Sequence, residues 1–244
     1  MIIDILTLFP KFYESPISIG IINMAINEKK INLNIEDMRA YGEGNYKKCD
    51  DYPYGGGPGM IISYNIFKKY FESHNRGYTI IFSPSGKTLT QKKVKELSYK
   101  KHITMILGHY EGIDYRVEEK YADESISIGD YVLSGGEIPA LLLLDAISRY
   151  KGVMNNDESV ISDTFEENSI GLLEYEQYTR PYEIDNMKVP DILLSGNHKN
   201  IDEYRRKRSI IKTFKNRGDL LSKVNLNKKD IETIFNYLKE NNMN

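Results

Sequence analysis

The chain has 244 residues, enough for one large domain or two modest ones, and its 40% hydrophobic and 28% charged content is ordinary for a globular protein. Its single cysteine, Cys49, excludes an internal disulfide framework, fits a reducing cytoplasm and has no activating base beside it in the sequence. A net charge of −2 does not mark a nucleic-acid binder, and no segment approaches the ~20 apolar residues that cross a membrane.

Ile2–Leu8 reads as a strand, and no basic segment precedes it to suggest a signal peptide. In chain order there follow a helix at Pro16–Asn27, a strand at Leu33–Asp37, a helix at Tyr64–His74 and a strand at Tyr78–Phe82. Next come a helix at Thr90–Tyr99, a strand at Ile103–Leu107, a helix at Tyr115–Tyr121, a strand at Ser125–Ile128 and a helix at Pro139–Tyr150. Strands that alternate with helices predict an α/β fold with a mainly parallel sheet flanked by helices. Pro139 suits a first helical turn, where its missing N–H costs nothing. The run Ala140-Leu141-Leu142-Leu143-Leu144 is apolar on all sides and predicts a deeply buried helix, between subunits if the chain is an oligomer.

After this first domain, residues 1–153, the composition turns polar. Residues 154–170 read as a flexible linker, and 171–244 as a small helical C-terminal domain. That domain begins with loops around Tyr178-Thr179-Arg180-Pro181 and Val189-Pro190-Asp191. It ends with helices near Ile201–Lys215 and Lys228–Asn241. Basic residues crowd the stretch from Lys199 to Lys229, which reads either as a solvated helix face or as an electrostatic footprint for nucleic acid.

Several common chemistries are excluded. Ser85-Gly86-Lys87-Thr88 resembles the end of a phosphate loop, but the first glycine of that motif would fall on Ile81. Gly42-Glu43-Gly44 lacks the third glycine of a dinucleotide fingerprint. His74, His102, His109 and His198 show no metal-ligand spacing, and there is no nucleophile elbow.

What remains is a set of glycine-bearing loops. Ser83-Pro84-Ser85-Gly86, Gly108-His109-Tyr110-Glu111-Gly112 and Gly129-Asp130-Tyr131-Val132-Leu133-Ser134-Gly135-Gly136 each follow an apolar strand. Parallel sheets bind ligands at such carboxyl ends, so the three predict one pocket. The third loop carries no lysine or arginine, which suits a neutral, adenine-bearing molecule read by backbone groups rather than a phosphate. A plain strand-to-helix turn is the alternative for that loop. A fourth loop, Tyr52-Pro53-Tyr54-Gly55-Gly56-Gly57-Pro58-Gly59-Met60, is either a surface turn or a base-stacking, ligand-closing element.

Tyr54–Met60, Ser83–Gly86, Gly108–Asp114, Ser127–Glu137 and Leu194-Ser195-Gly196-Asn197-His198, in this order, resemble the bacterial tRNA (guanine-N1)-methyltransferase family, TrmD, of the SPOUT superfamily. The resemblance runs from Met1 to about Leu221. It implies a trefoil knot at the C-terminal end of the α/β domain, an obligate homodimer with shared active sites, and a C-terminal domain that grips tRNA. It implies S-adenosyl-L-methionine as methyl donor and, as product, N1-methylguanosine immediately 3′ of the anticodon, at position 37. Cofactor contacts implied by the resemblance are Ser83, Pro84, Gly86, Gly108, Tyr110, Glu111, Ile128, Gly129, Asp130, Tyr131, Val132, Leu133, Gly135 and Gly136. His109 stands where many relatives have arginine, and the family's catalytic aspartate matches Asp163.

Guanine N1 carries a proton at neutral pH, so methylation there needs a general base, and Asp163 is the candidate. Arg149 is the candidate to stabilise charge on guanine O6, with a helix C-terminal dipole partner as its plainer role. Glu111 would orient the methionine tail or, with Asp163, bind Mg²⁺. Ser195, Asn197, His198, Arg205 and Arg208 are the candidate tRNA contacts. The competing readings are another SPOUT enzyme acting on a ribose 2′-OH or a ribosomal base, a non-catalytic RNA-binding protein that keeps a cofactor pocket, and an unrelated nucleotide-binding enzyme.

Overall fold

The computed structural model describes residues 1–152, 164–165 and 171–241. It divides into two compact units, Met1–Asn155 and Asn156–Asn244.

The first unit is built on one parallel sheet. Its strands are β1 (Ile2–Thr7), β2 (Asn32–Asp37), β5 (Tyr78–Thr88), β6 (His102–Ile106) and β7 (Glu124–Ser127), in the spatial order β2-β1-β6-β5-β7. The short β3 (Asp50–Asp51) and β4 (Ile61–Ile62) pair antiparallel outside that sheet. The sequence reading of a mainly parallel sheet therefore holds, with all five of its strands parallel.

Alternation along the strands sends successive side chains to opposite faces. Ile3, Ile5, Ile103 and Met105 pack under α1 (Gly20–Asn27), α3 (Gln91–Ser98) and α5 (Glu137–Arg149). Leu6, Ile81 and Ile106 pack under α2 (Tyr64–Ser73) and α4 (Tyr115–Tyr121). A polar cluster lies on the second face: the buried Asp4 carboxylate accepts hydrogen bonds from Asn34 at 2.8 Å and Tyr70 at 3.3 Å, and pairs with His102 Nε2. Cys49 is buried in the same layer, its thiol donating to the Lys47 carbonyl. Burial pushes that thiol up and disfavours the reactive thiolate.

Within the single chain α5 is buried on one side only. Leu143, Leu144 and Ile147 are fully buried, but Ile138 and Leu142, one helical turn apart, are 50% and 42% exposed in the single chain. An apolar helix is covered only on the side where its own sheet lies.

β5 does not stop at Phe82. Phe82 pairs with Ile126 of β7, the chain loops out through Ser83–Gly86, and Lys87 pairs with Ile126 again. Thr88 then pairs with Ser127, and Leu89 N–H donates to the Ser127 carbonyl at 2.7 Å.

In the second unit, helices at His198–Asn216, Gly218–Leu221 and Lys228–Glu240 follow a two-residue hairpin, Glu183–Ile184 with Met187–Lys188. Asp185 and Asn186 both have positive φ, 52° and 61°, as the turn of a tight hairpin requires. Thr213 ties the segment after Gly171 to the long helix, its hydroxyl accepting from Leu173 N–H at 2.8 Å.

Candidate active site

β6, β5 and β7 are adjacent in the sheet, so the Ser83–Gly86 excursion within β5 meets the loops leaving the carboxyl ends of β6 and β7. They enclose a cavity of about 430 Å³, a size suited to a nucleoside-bearing cofactor. Twelve of the fourteen expected cofactor residues line it: Ser83, Pro84, Gly108, Tyr110, Glu111, Ile128, Gly129, Tyr131, Val132, Leu133, Gly135 and Gly136.

The other two lie elsewhere. Asp130 is exposed and does not line the cavity. Gly86 sits behind it, where a Cβ would stand 2.5 Å from the Ser125 carbonyl carbon and 2.6 Å from Ile126 N. This glycine admits close packing of β5 against β7 and is not among the residues that line the cavity.

The loops are fixed by backbone pairing. Gly136 N–H donates to the Gly108 carbonyl at 2.9 Å, which joins the second loop to the third. The second loop is strapped on its other side by β4 and its flank. Glu111 N–H donates to the Met60 carbonyl and Ile62 N–H to the Gly112 carbonyl, both at 3.0 Å. Gly129 has φ 146°, and a Cβ there would meet the Tyr131 ring at 2.5 Å. The glycine lets Tyr131 fold back, its hydroxyl donating to the Ile128 carbonyl at 3.3 Å. Tyr110 holds φ 58°, an uncommon conformation for a bulky residue that here turns the chain at the cavity wall.

Beneath the third loop lies a buried carboxylate. Glu137, 7% exposed, accepts a hydrogen bond from the Thr7 hydroxyl at 2.8 Å, and its carbonyl accepts from Tyr13 at 3.1 Å. A Cβ on Gly135 would meet Glu137 Oε2 at 2.4 Å and His109 at 2.6 Å, so these side chains clamp the glycine from two sides. Burial, then the nearby Glu137 charge, pushes the Tyr13 phenol far above its ordinary range, which keeps it a neutral donor.

His109 also lines the cavity, packed against Phe9 with ring centroids 4.8 Å apart. Glu118 of α4 reaches the wall as well, accepting from Ser125 at 2.6 Å. Sequence reasoning missed Glu118 because a single acid on a polar helix carries no signal of which way it faces.

Of the two candidate catalytic residues, only Arg149 is among the described residues, and it stands apart from this cavity. Asp163 lies outside the described residues. Arg149 is the last residue of α5, half-buried, twelve residues beyond the cavity end of that helix. At 1.5 Å per residue that is about 18 Å from Glu137. Among the described residues no group of three or more histidine, cysteine or acidic side chains could hold a metal ion.

In the second unit the candidate tRNA contacts are placed as follows. Ser195 accepts from Asn197 N–H at 3.2 Å, and Asn197 caps the long helix by accepting from Asn200 N–H at 3.3 Å. His198 opens that helix and is exposed. Arg205 lies over the Tyr175 ring at 4.8 Å. Arg208 is committed to a forked pair with Glu176, at 2.9 and 2.7 Å. Its neighbour Arg206 makes the same fork with Asp230, at 2.9 and 2.6 Å. Part of the basic run is thus internal bracing.

Arg206 holds the 3% exposed Asp230 carboxyl well below its usual range. A depressed folded value contributes stability that is present above the unfolded value, about 3.9, and is lost as pH falls through the folded one. Asp230→Asn, which also weakens the capping box with Asn227, is expected to cost about 1–3 kcal/mol at pH 7. Denaturant titrations of the full chain should show the gap narrowing below pH 4; an equal gap at pH 7 and pH 3 would refute the charged pair as its source.

Comparison with known proteins agrees with this geometry. The family model described as tRNA (Guanine-1)-methyltransferase TrmD matches residues 1–223. The chain belongs to the TrmD family. Relatives named tRNA (guanine-N(1)-)-methyltransferase include those of Thermosipho africanus and Staphylococcus epidermidis, each 43% identical over 244 residues and 98% of both chains. That of Clostridioides difficile is 43% identical over 228 residues, 91% of this chain and 97% of the relative. The TrmD match covers the whole sheet, all three cavity loops and the helix that carries Arg205 and Arg208.

Proposed function

We propose that this chain transfers the methyl group of S-adenosyl-L-methionine to N1 of guanosine at tRNA position 37, immediately 3′ of the anticodon. The observation that carries the reading is the cavity: three adjacent strand-end loops, walled by glycines, in a chain that matches the TrmD family over residues 1–223. The cavity fits the donor. Its third loop offers backbone N–H and C=O groups and apolar side chains, with no lysine or arginine to demand a phosphate. When bound, S-adenosyl-L-methionine supplies an electrophilic methyl group.

In this reading residues 1–153 bind the cofactor, 154–170 form the linker, and 171–244 grip the tRNA. Tyr110, Glu111 and Tyr131 orient the donor against the Gly108 and Gly135-Gly136 backbone. Asp163 takes the N1 proton, and Arg149 meets the charge that then builds on guanine O6. Arg149 sits about a helix length from the cavity of its own chain, and α5 exposes Ile138 and Leu142. Both facts support a homodimer in which a second copy completes each site. The double pairing of Ile126, first by Phe82 and then by Lys87, is an interruption of β5 that a trefoil knot would account for.

tRNA contacts are assigned to Ser195, Asn197, His198 and Arg205; Arg208 joins them only by releasing Glu176. Mg²⁺ is left to Glu111 and Asp163, and no step here depends on it. A cytoplasmic location suits a tRNA-modifying enzyme, and no helix among the described residues is long and apolar enough to cross a membrane. The test is the identity of the methylated nucleoside formed on unmodified tRNA. N1-methylguanosine is expected; a 2′-O-methyl nucleoside would assign the chain to a different reaction.

A further inference from the structure

One surface beside the cavity is not used by the proposed reaction. α4 has two faces. Glu118 points to the cavity, while Arg116 and Lys120, two residues to either side of it, lie on the other face over the Tyr64 ring at 5.6 and 5.7 Å. Lys120 Nζ also donates to the Tyr64 hydroxyl at 2.9 Å, and Tyr64 stacks with Tyr121 at 6.0 Å. Arg116 donates to Asp114 through Nε and Nη2, which leaves its Nη1 donors for a further acceptor.

At the start of α4 and on the loop between β3 and β4, tyrosines stand in solvent. Tyr54 is fully exposed, Tyr52 is 77% exposed and Tyr115 is 67% exposed. Tyr54 is carried by the loop between β3 and β4, and β4 is tied to the start of α4 by Asp114 N–H, which donates to the Ile62 carbonyl at 3.0 Å. The loop that carries Tyr54 adjoins the cavity, because a Cβ on Gly59 would meet the Glu111 side chain at 2.4 Å. Gly55, Gly56 and Gly57 all have positive φ and open space where a Cβ would stand.

We propose that Tyr54, Tyr115, Arg116 and Lys120 form an RNA-contact surface on the catalytic domain, which holds unpaired bases and phosphates of the substrate tRNA next to the target guanosine. The inference rests on tRNA being the substrate. The chemistry is that of single-strand recognition: flat rings accept any base by stacking, and the adjacent cations take the backbone.

The test is tRNA binding by the full chain in the presence of S-adenosyl-L-methionine, measured by filter retention across a series of salt concentrations. Tyr54→Ala is expected to weaken binding roughly 5-fold or more, while Tyr54→Phe keeps it, because stacking needs the ring and not the hydroxyl. Lys120→Ala is expected to weaken binding and lower the salt slope by about 1. Affinity for S-adenosyl-L-methionine should be unchanged in all three, which separates RNA contact from loss of fold. Unchanged tRNA affinity and slope in Tyr54→Ala and Lys120→Ala, with the unsubstituted chain binding tightly, overturns this surface and leaves the proposed reaction standing. An unsubstituted chain that binds no tRNA overturns both.

Discussion

Replacing Asp163 with asparagine is expected to slow methyl transfer by roughly 10²–10⁴-fold, the usual contribution of a general base. The reasoning is chemical. A methyl group needs a lone pair to accept it, and guanine N1 has none available until its proton is removed. Asparagine keeps the size and hydrogen-bonding reach of the side chain but cannot take that proton. Affinity for S-adenosyl-L-methionine should stay unchanged, because the cavity is enclosed by residues 81–139, all outside the segment that carries Asp163. Single-turnover transfer, read beside calorimetric titration of the cofactor, checks both halves. Near-normal turnover would remove Asp163 from the mechanism, and lost cofactor binding would give it a different role.

Gly86→Ala is expected to have the largest effect on stability. Its Cβ would stand 2.5–2.6 Å from backbone atoms of Ser125 and Ile126. A flexible side chain could swing away; a strand of the central sheet cannot. β5 must either separate from β7 or distort the loop at Ser83–Gly86, at a cost of about 2–4 kcal/mol. For a unit of this size that lowers Tm by roughly 5–15 °C. Weaker cofactor binding should accompany it, since both strands end at the cavity. Gly218→Ala supplies the contrast. Nothing lies within 4 Å of its Cβ position and φ is ordinary, so it should be neutral within about 0.5 kcal/mol. A Gly86→Ala chain that melts with the parent would refute the close packing of β5 on β7.

Much of the cofactor domain is legible in the sequence because its signals are local. Ile2–Thr7 and His102–Ile106 are apolar runs of strand length, and α4 spans Tyr115–Tyr121 as its pattern predicts. Three glycine loops after three strands announce a cavity as soon as the sheet is taken as parallel. What stays hidden is non-local. The local pattern of Tyr78–Phe82 cannot say that the chain returns at Lys87 to pair with the same Ile126. Apolar residues all round α5 do not reveal that its own sheet leaves Ile138 and Leu142 uncovered.

Charges mislead in the same way. Arg206 and Arg208 look alike in the run that reads as an RNA footprint, yet Asp230 and Glu176 occupy both guanidinium forks. Only the fold decides which cations it keeps for itself. The Glu183–Lys188 hairpin was readable in principle, since Asp185-Asn186 between Ile184 and Met187 is a tight-turn pair. Two-residue strands give too short an alternation to make that turn stand out.

The central claim is N1 methylation of the guanosine just 3′ of the anticodon, and paired tRNA transcripts test it most directly. One transcript carries guanosine at that position after another guanosine; its partner carries adenosine there instead. With labelled S-adenosyl-L-methionine, label is expected on the first alone, released as N1-methylguanosine on nucleoside digestion. Equal labelling of both transcripts, or none on either while the cofactor still binds, would contradict the assigned target and with it the roles given to Asp163 and Arg149.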